Sequence, residues 1–143
     1  MSRATPQMRA FAEVLIAHES SENPATAIKR PADFPVFEKL RSPLAMLMGN
    51  GGFRALLSRA LALAAAEIPW LRTVHVNADG ALAWDAELHP PLAPAEILEG
   101  RVVLLAQLLG LLVAFIGPGL TSRLIGEIWP KIMLNDLVSW QRR

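Results

Sequence analysis

Apolar positions along this chain recur mostly at three- and four-residue spacing, the period of an amphipathic helix. Met8, Phe11, Ala12, Leu15 and Ile16 share one stripe within residues 6–19, with Arg9 and Glu13 one turn apart on another side. The segment 34–48 carries Pro35 in a helical first turn and Ser42-Pro43 as a second start, which predicts two short helices or one helix broken near Pro43. Gly49-Asn50-Gly51-Gly52 then predicts a break, because glycine weakens helix interiors and permits left-handed turns. Phe53, Leu56, Leu57, Ala60, Leu61, Ala64 and Ile68 form the clearest helical stripe, stopped by Pro69.

Between 73 and 85 the period changes to two. Thr73-Val74-His75-Val76 and Ala81-Leu82-Ala83-Trp84 flank Asn77-Ala78-Asp79-Gly80, and Asp-Gly is a turn signal, so a hairpin is expected at about 73–84. A lone hairpin is marginal and must lean on the helices. Pro90, Pro91 and Pro94 make a stiff connection to a helix at about 95–116, with Glu96 and Glu99 suited to its N-terminal dipole. Gly117-Pro118-Gly119 ends it. Leu120, Leu124, Ile125 and Ile128 share one side of a further helix, and Met133, Leu137 and Trp140 repeat the pattern in the tail.

The expected architecture is mostly α. It is a compact helical bundle around a buried central helix at about 95–116, with one small β-hairpin at about 73–84. Residues 1–33 read as an amphipathic helix plus a linker holding Pro24 and Pro31, residues 34–130 as a helical core domain, and 131–143 as an amphipathic tail.

Residues 102–116 hold a single polar side chain, Gln107. A helix of that length is about 22 Å long, short of the roughly 20 residues that a bilayer core needs. A buried core helix is the expectation, and insertion of 102–116 into a membrane is the alternative. Ala106, Gly110 and Ala114 recur every four residues and allow close helix approach, so with Gln107 they form a candidate helix-packing interface. A buried carboxamide needs a partner, either a backbone group or its counterpart in a second chain.

Composition narrows the classes. The 143 residues are 52% hydrophobic, 19% charged and 6% aromatic, with no cysteine and a net charge of +1. Such a chain builds a real core, which argues against disorder, and a disulfide scaffold, a cysteine zinc site and a thiol nucleophile are all excluded. The charge is unevenly placed: +3 over 34–72, −5 over 73–100 and +3 over 101–143. This balance, without basic residues interleaved with aromatics, makes nucleic acid an unexpected partner.

Catalytic chemistry finds little footing. His18, His75 and His89 are scattered, and Asp85-x-Glu87-x-His89 precedes Pro90-Pro91 in what reads as a loop, so no metal site is expected. No serine sits in a nucleophile elbow, no carboxylate pair stands out, and no cofactor is implied. Gly51, Gly52 and Arg54 form a weak candidate anion site at a helix start. The terminal stripes, Phe11 and Leu15 at one end and Met133, Leu137 and Trp140 at the other, are candidate partner-binding surfaces that dock either on a partner or on the chain's own core.

These features point to a non-enzymatic protein–protein interaction module. The expected type is a small helical adaptor or regulatory subunit that self-associates as a homo-oligomer or engages a protein partner. A membrane-associated component is the first alternative. A small ligand-binding or enzymatic domain, with a cavity near Arg54, His75 or His89, is the second. Glu13 interrupts any signal-peptide apolar region, so the cytoplasm is the expected compartment.

Overall fold

A computed structural model of the chain describes residues 5–22, 34–84 and 92–130. Among these, four helices, a short 3-10 turn and a two-stranded sheet follow in the order α1 (Pro6–Glu22), α2 (Pro35–Glu67), the turn (Pro69–Thr73), β1 (Val74–Val76), β2 (Leu82–Trp84), α3 (Pro94–Ile116) and α4 (Pro118–Ile128). The mostly α class with a single small hairpin is what the hydrophobic periods predict.

Each start has a local cause. Thr5 accepts the Met8 N–H on its hydroxyl at 3.2 Å, and Pro6 follows at the first helical position, where its missing N–H costs nothing. At the start of α3 the Glu96 carboxylate accepts the Ala93 N–H at 3.0 Å while the Glu96 N–H donates to the Ala93 carbonyl at 2.9 Å. The reversal between α3 and α4 sits on Gly117, at φ 90°. Thr121 secures it, its hydroxyl donating to the Gly117 carbonyl at 2.7 Å.

The break in α2 falls at Gly49 (φ 80°, ψ 157°) and not at Pro43, which lies inside the helix. Pro43 removes one backbone bond to the preceding turn, yet its fixed φ is helical. Leu40 and Leu44 on either side of it are fully buried and hold the helix on course.

α3 is the centre of the fold. Every residue over 100–112 is buried, and α1, α2 and α4 all pack against the helix. Met8, Phe11, Ala12, Leu15 and Ile16 of α1 belong to this same core, so the first helix lies on the bundle and is not a free arm. Arg101 is also inside, 3% exposed, with its guanidinium 5.3 Å from the centroid of the Phe34 ring. It does not mark a wet boundary of the apolar run, because the ring face is an attractive site for the cation. The helix begins at Pro94 and is 23 residues long. That is enough to cross a bilayer by length, yet 78% of its most apolar window is buried inside the fold.

The hairpin pairs Val74 with Trp84, His75 with Ala83 and Val76 with Leu82. The Gly80 N–H donates to the Asn77 carbonyl at 3.0 Å, and the Asp79 carboxylate accepts the Ala81 N–H at 3.0 Å. Gly80 has φ 87°, a conformation that favours glycine, and a Cβ there would come within a tight 3.1 Å of the Phe53 ring. The hairpin leans on α2. Asn50 donates to the Ala78 carbonyl at 3.1 Å, and Arg41 lies 3.6 Å from the Asp79 carboxylate, a contact between the basic and acidic stretches. Its other end is Trp84, whose ring lies 4.7 Å from that of Trp70. Trp70 in turn packs against Gly100 and donates to the Glu96 carbonyl at 3.1 Å.

A Cβ at Gly100 would fall 2.4 Å from the Trp70 ring, whereas one at Gly119 would meet nothing within 4 Å. Gly100→Ala is therefore expected to cost about 1–3 kcal/mol in urea unfolding. Gly119→Ala is expected to stay within about 0.5 kcal/mol of the parent.

Candidate functional site

The residues singled out by pattern separate into three groups. Phe11 and Leu15 are 2% and 0% exposed, their stripe spent on the chain's own core. They are unavailable to a partner in this fold, because α3 offers an apolar face to every neighbour and α1 covers one side of it. Met133, Leu137 and Trp140 lie outside the described residues, as do Asp85, Glu87 and His89. Among the described residues no group of three His, Asp or Glu side chains converges as a metal site.

Ala106, Gln107 and Gly110 are buried in α3, but Ala114 is exposed. The small-residue row therefore leaves the core before its third member, where α3 runs out beyond its neighbours. Gln107 is 1% exposed, and its carboxamide has a partner. Gly51 and Gly52 are exposed, while Arg54 is half-buried, and its Nε, shielded from solvent, has no hydrogen-bond partner. The glycine run has a structural task, since the bend at Gly49 and the side chain of Asn50 seat the hairpin turn.

A buried polar cluster escaped the periodicity. Glu19 on α1 is 3% exposed. It accepts a hydrogen bond from the Trp129 indole at 3.1 Å and pairs with Lys39 at 2.7 Å. The Lys39 ammonium also stands 6.0 Å from the centroid of the Trp129 ring. Three side chains thus bind α1, α2 and the end of α4 together, the exposed Lys39 ammonium and the buried Trp129 indole both satisfying the buried Glu19 carboxylate. The sequence holds no signal for it, because the partners are up to 110 positions apart. Arg9 likewise pairs across the fold with Glu67 of α2 and not with Glu13 one turn away, where cation-before-anion is the weaker order.

The outer surface carries unexpected apolar residues. Met46 is 85% exposed, Leu47 46%, Phe115 68% and Leu120 38%. Leu120 shares one side of its helix with Leu124, as its spacing predicts. The register turns it outward, so that it lines a cleft of about 390 Å³ between α2 and α4 with Pro43, Met46, Leu47 and Leu124. Arg123 and Glu127 stand on the same cleft. A second cleft, of about 620 Å³, opens between α1 and α3. Neither is lined by Arg54 or His75. Neither has the nucleophile–base geometry of a catalytic centre.

Comparison with family models, with curated proteins and with solved structures finds no match to the chain.

The Glu19 cluster yields a direct check. Lys39→Met leaves the buried carboxylate with one charge-assisted bond fewer and is expected to lower stability by about 1–3 kcal/mol. Adding Glu19→Gln removes the stranded charge, so the double variant should lose less than the sum of the two singles. A double-mutant cycle in urea measures this coupling, which is expected near 1 kcal/mol.

Proposed function

We propose that this protein is a non-enzymatic protein–protein interaction module, a small helical adaptor or regulatory subunit that self-associates. The observation that carries the reading is the α2/α4 cleft, where Met46, Leu47 and Leu120 stand in solvent around a concave apolar floor. Soluble chains rarely leave large apolar side chains clustered in this way unless something covers them.

The charges on the cleft favour a second copy as the cover. Arg123 and Glu127 lie one turn apart on α4, and neither has an ion-pair partner among the described residues. A two-fold interface brings the same patch of each subunit face to face. In that arrangement Arg123 of one subunit meets Glu127 of the other, and Met46 fills the opposite cleft. The patch thus carries both signs of charge that such a pairing uses.

A membrane-associated component using residues 102–116 is the second reading, resting on the length of α3. It requires α3 to leave the helices that cover it. Recovery of the whole chain without detergent in the soluble fraction, with no flotation on phospholipid vesicles, would exclude it.

The self-association reading predicts a dimer by light scattering coupled to size exclusion. Met46→Asp should weaken it by about 2 kcal/mol or more, a loss of some thirtyfold in affinity. Arg123→Glu should dissociate it through like-charge contact with Glu127, and Arg123→Glu combined with Glu127→Arg should restore it. A strict monomer at all concentrations sinks the proposal.

A further inference from the structure

The reversal between α3 and α4 is an exposed apolar end. The stretch from Ala114 to Leu120 has no polar side chain, and Phe115 and Leu120 stand on it 68% and 38% exposed. Val113 and Ile116 pack against the core, whereas Phe115 takes no part in it. The end is convex, since a Cβ added at Gly117 or Gly119 would meet nothing within 4 Å. Its backbone asks little of water. Pro118 has no N–H, the Gly117 N–H donates to the Val113 carbonyl at 2.9 Å, and the Thr121 N–H donates to the Gly117 carbonyl at 3.2 Å. Thr121 and Ser122, the first polar side chains past the turn, are both buried.

Charge is arranged around this end in one sense. No charged residue occurs between Val102 and Ser122. The first charge on α4 is Arg123, exposed, one turn past Leu120 and without an ion pair among the described residues. Glu127 stands one turn further back. At the opposite end of α3, about 25 Å from Phe115, Glu96 and Glu99 are both exposed. An apolar tip backed by a cation, with carboxylates at the far pole, matches the surface of an anionic bilayer. There apolar side chains enter by roughly 5–10 Å and arginine meets the headgroup phosphates. The turn from Ala114 to Gly117 is about 5 Å tall, which is within that depth. Fluid lipid closes around a convex end, where a protein partner would need a groove shaped to it.

We infer that the α3/α4 reversal is a peripheral lipid anchor. Phe115 and Leu120 enter the interface of an anionic bilayer, Arg123 contacts its headgroups, and α3 stays covered by the other helices. This differs from insertion of 102–116, because no helix leaves the bundle. The anchor shares Leu120 and Arg123 with the face proposed for the dimer, but Phe115 belongs to the lipid contact alone, so changes at Phe115 separate the two.

The chain has no cysteine, so one engineered thiol carries one label. The full chain with Phe115→Cys, coupled to a nitrobenzoxadiazole dye that takes the place of the ring, is mixed with two kinds of vesicle. One kind is phosphatidylcholine alone, and the other is equal parts phosphatidylcholine and phosphatidylglycerol. Leu98→Cys, 41% exposed at the other end of α3, is the control. The dye at 115 should brighten about threefold on the anionic vesicles, and the dye at 98 should not change. A nitroxide on the lipid near the headgroup should quench the dye at 115 more than one near the bilayer centre. In the unlabelled chain, Phe115→Asp should lower flotation with anionic vesicles about tenfold and leave the oligomeric state unchanged. Arg123→Gln should lower the preference for anionic over neutral vesicles about fivefold. No brightening at 115, or equal brightening at 98, overturns the inference. Stronger quenching from the bilayer centre overturns it too, by assigning insertion of α3. Flotation of Phe115→Asp equal to that of the parent chain does the same.

Discussion

A helix with no polar side has to be covered all round, and α3 is such a helix over 100–112. Transfer of its leucines and valines out of water is worth roughly 1.5–3 kcal/mol for each side chain, so no arrangement that leaves one side wet competes. The requirement explains why three other helices gather around one element. It explains the local devices as well. Gly100 lets the Trp70 ring lie against the α3 backbone, and the turn at Gly117 sends α4 back along the helix it has just left. Even the two polar residues inside the run obey it. Arg101 spreads its charge over an aromatic face, and Gln107 finds a partner within the protein's interior.

Covering α3 uses apolar surface from α1 completely, but from α2 and α4 only in part. That asymmetry separates packing from interaction. Phe11 and Leu15 serve the core, while Met46, Leu47, Phe115 and Leu120 are left over. The high hydrophobic content of the chain therefore has two destinations, the core and the outer surface. The two clefts differ in the same spirit. One is edged by charges of both signs on a single helix, and the other by Glu13 and Glu99 together with Arg9, which is paired to Glu67.

Much of this was legible in the residues. The polar-poor run at 102–116 located the central helix, Asp79-Gly80 located the hairpin turn, and Pro69 marked the end of α2. These are signals carried by neighbours in sequence. What was not legible depends on neighbours in space. Pro43 reads as a breaker, yet packing of Leu40 and Leu44 overrides the loss of one backbone bond. Arg101 adjoins the apolar run as a charge in the sequence, and only the fold brings Phe34 under it. The stripe at Phe11 and Leu15 has the same spacing whether it faces a partner or its own bundle, and only the fold distinguishes the two. Leu120 shows the limit from the other side, since a helix face drawn from spacing is broader than the strip a neighbour can cover.

The Glu19–Trp129 bond closes almost the whole described length of the chain into one loop. Closing so long a loop costs more chain entropy than any local contact in the bundle, although the cost grows only slowly with length. Such a contact rests on the packing of every element between its two ends. By the same reasoning it is among the first to open. The last turn of α4 and the first helix then constitute one cooperative unit, released together, and amide protons there should exchange ahead of those in α3.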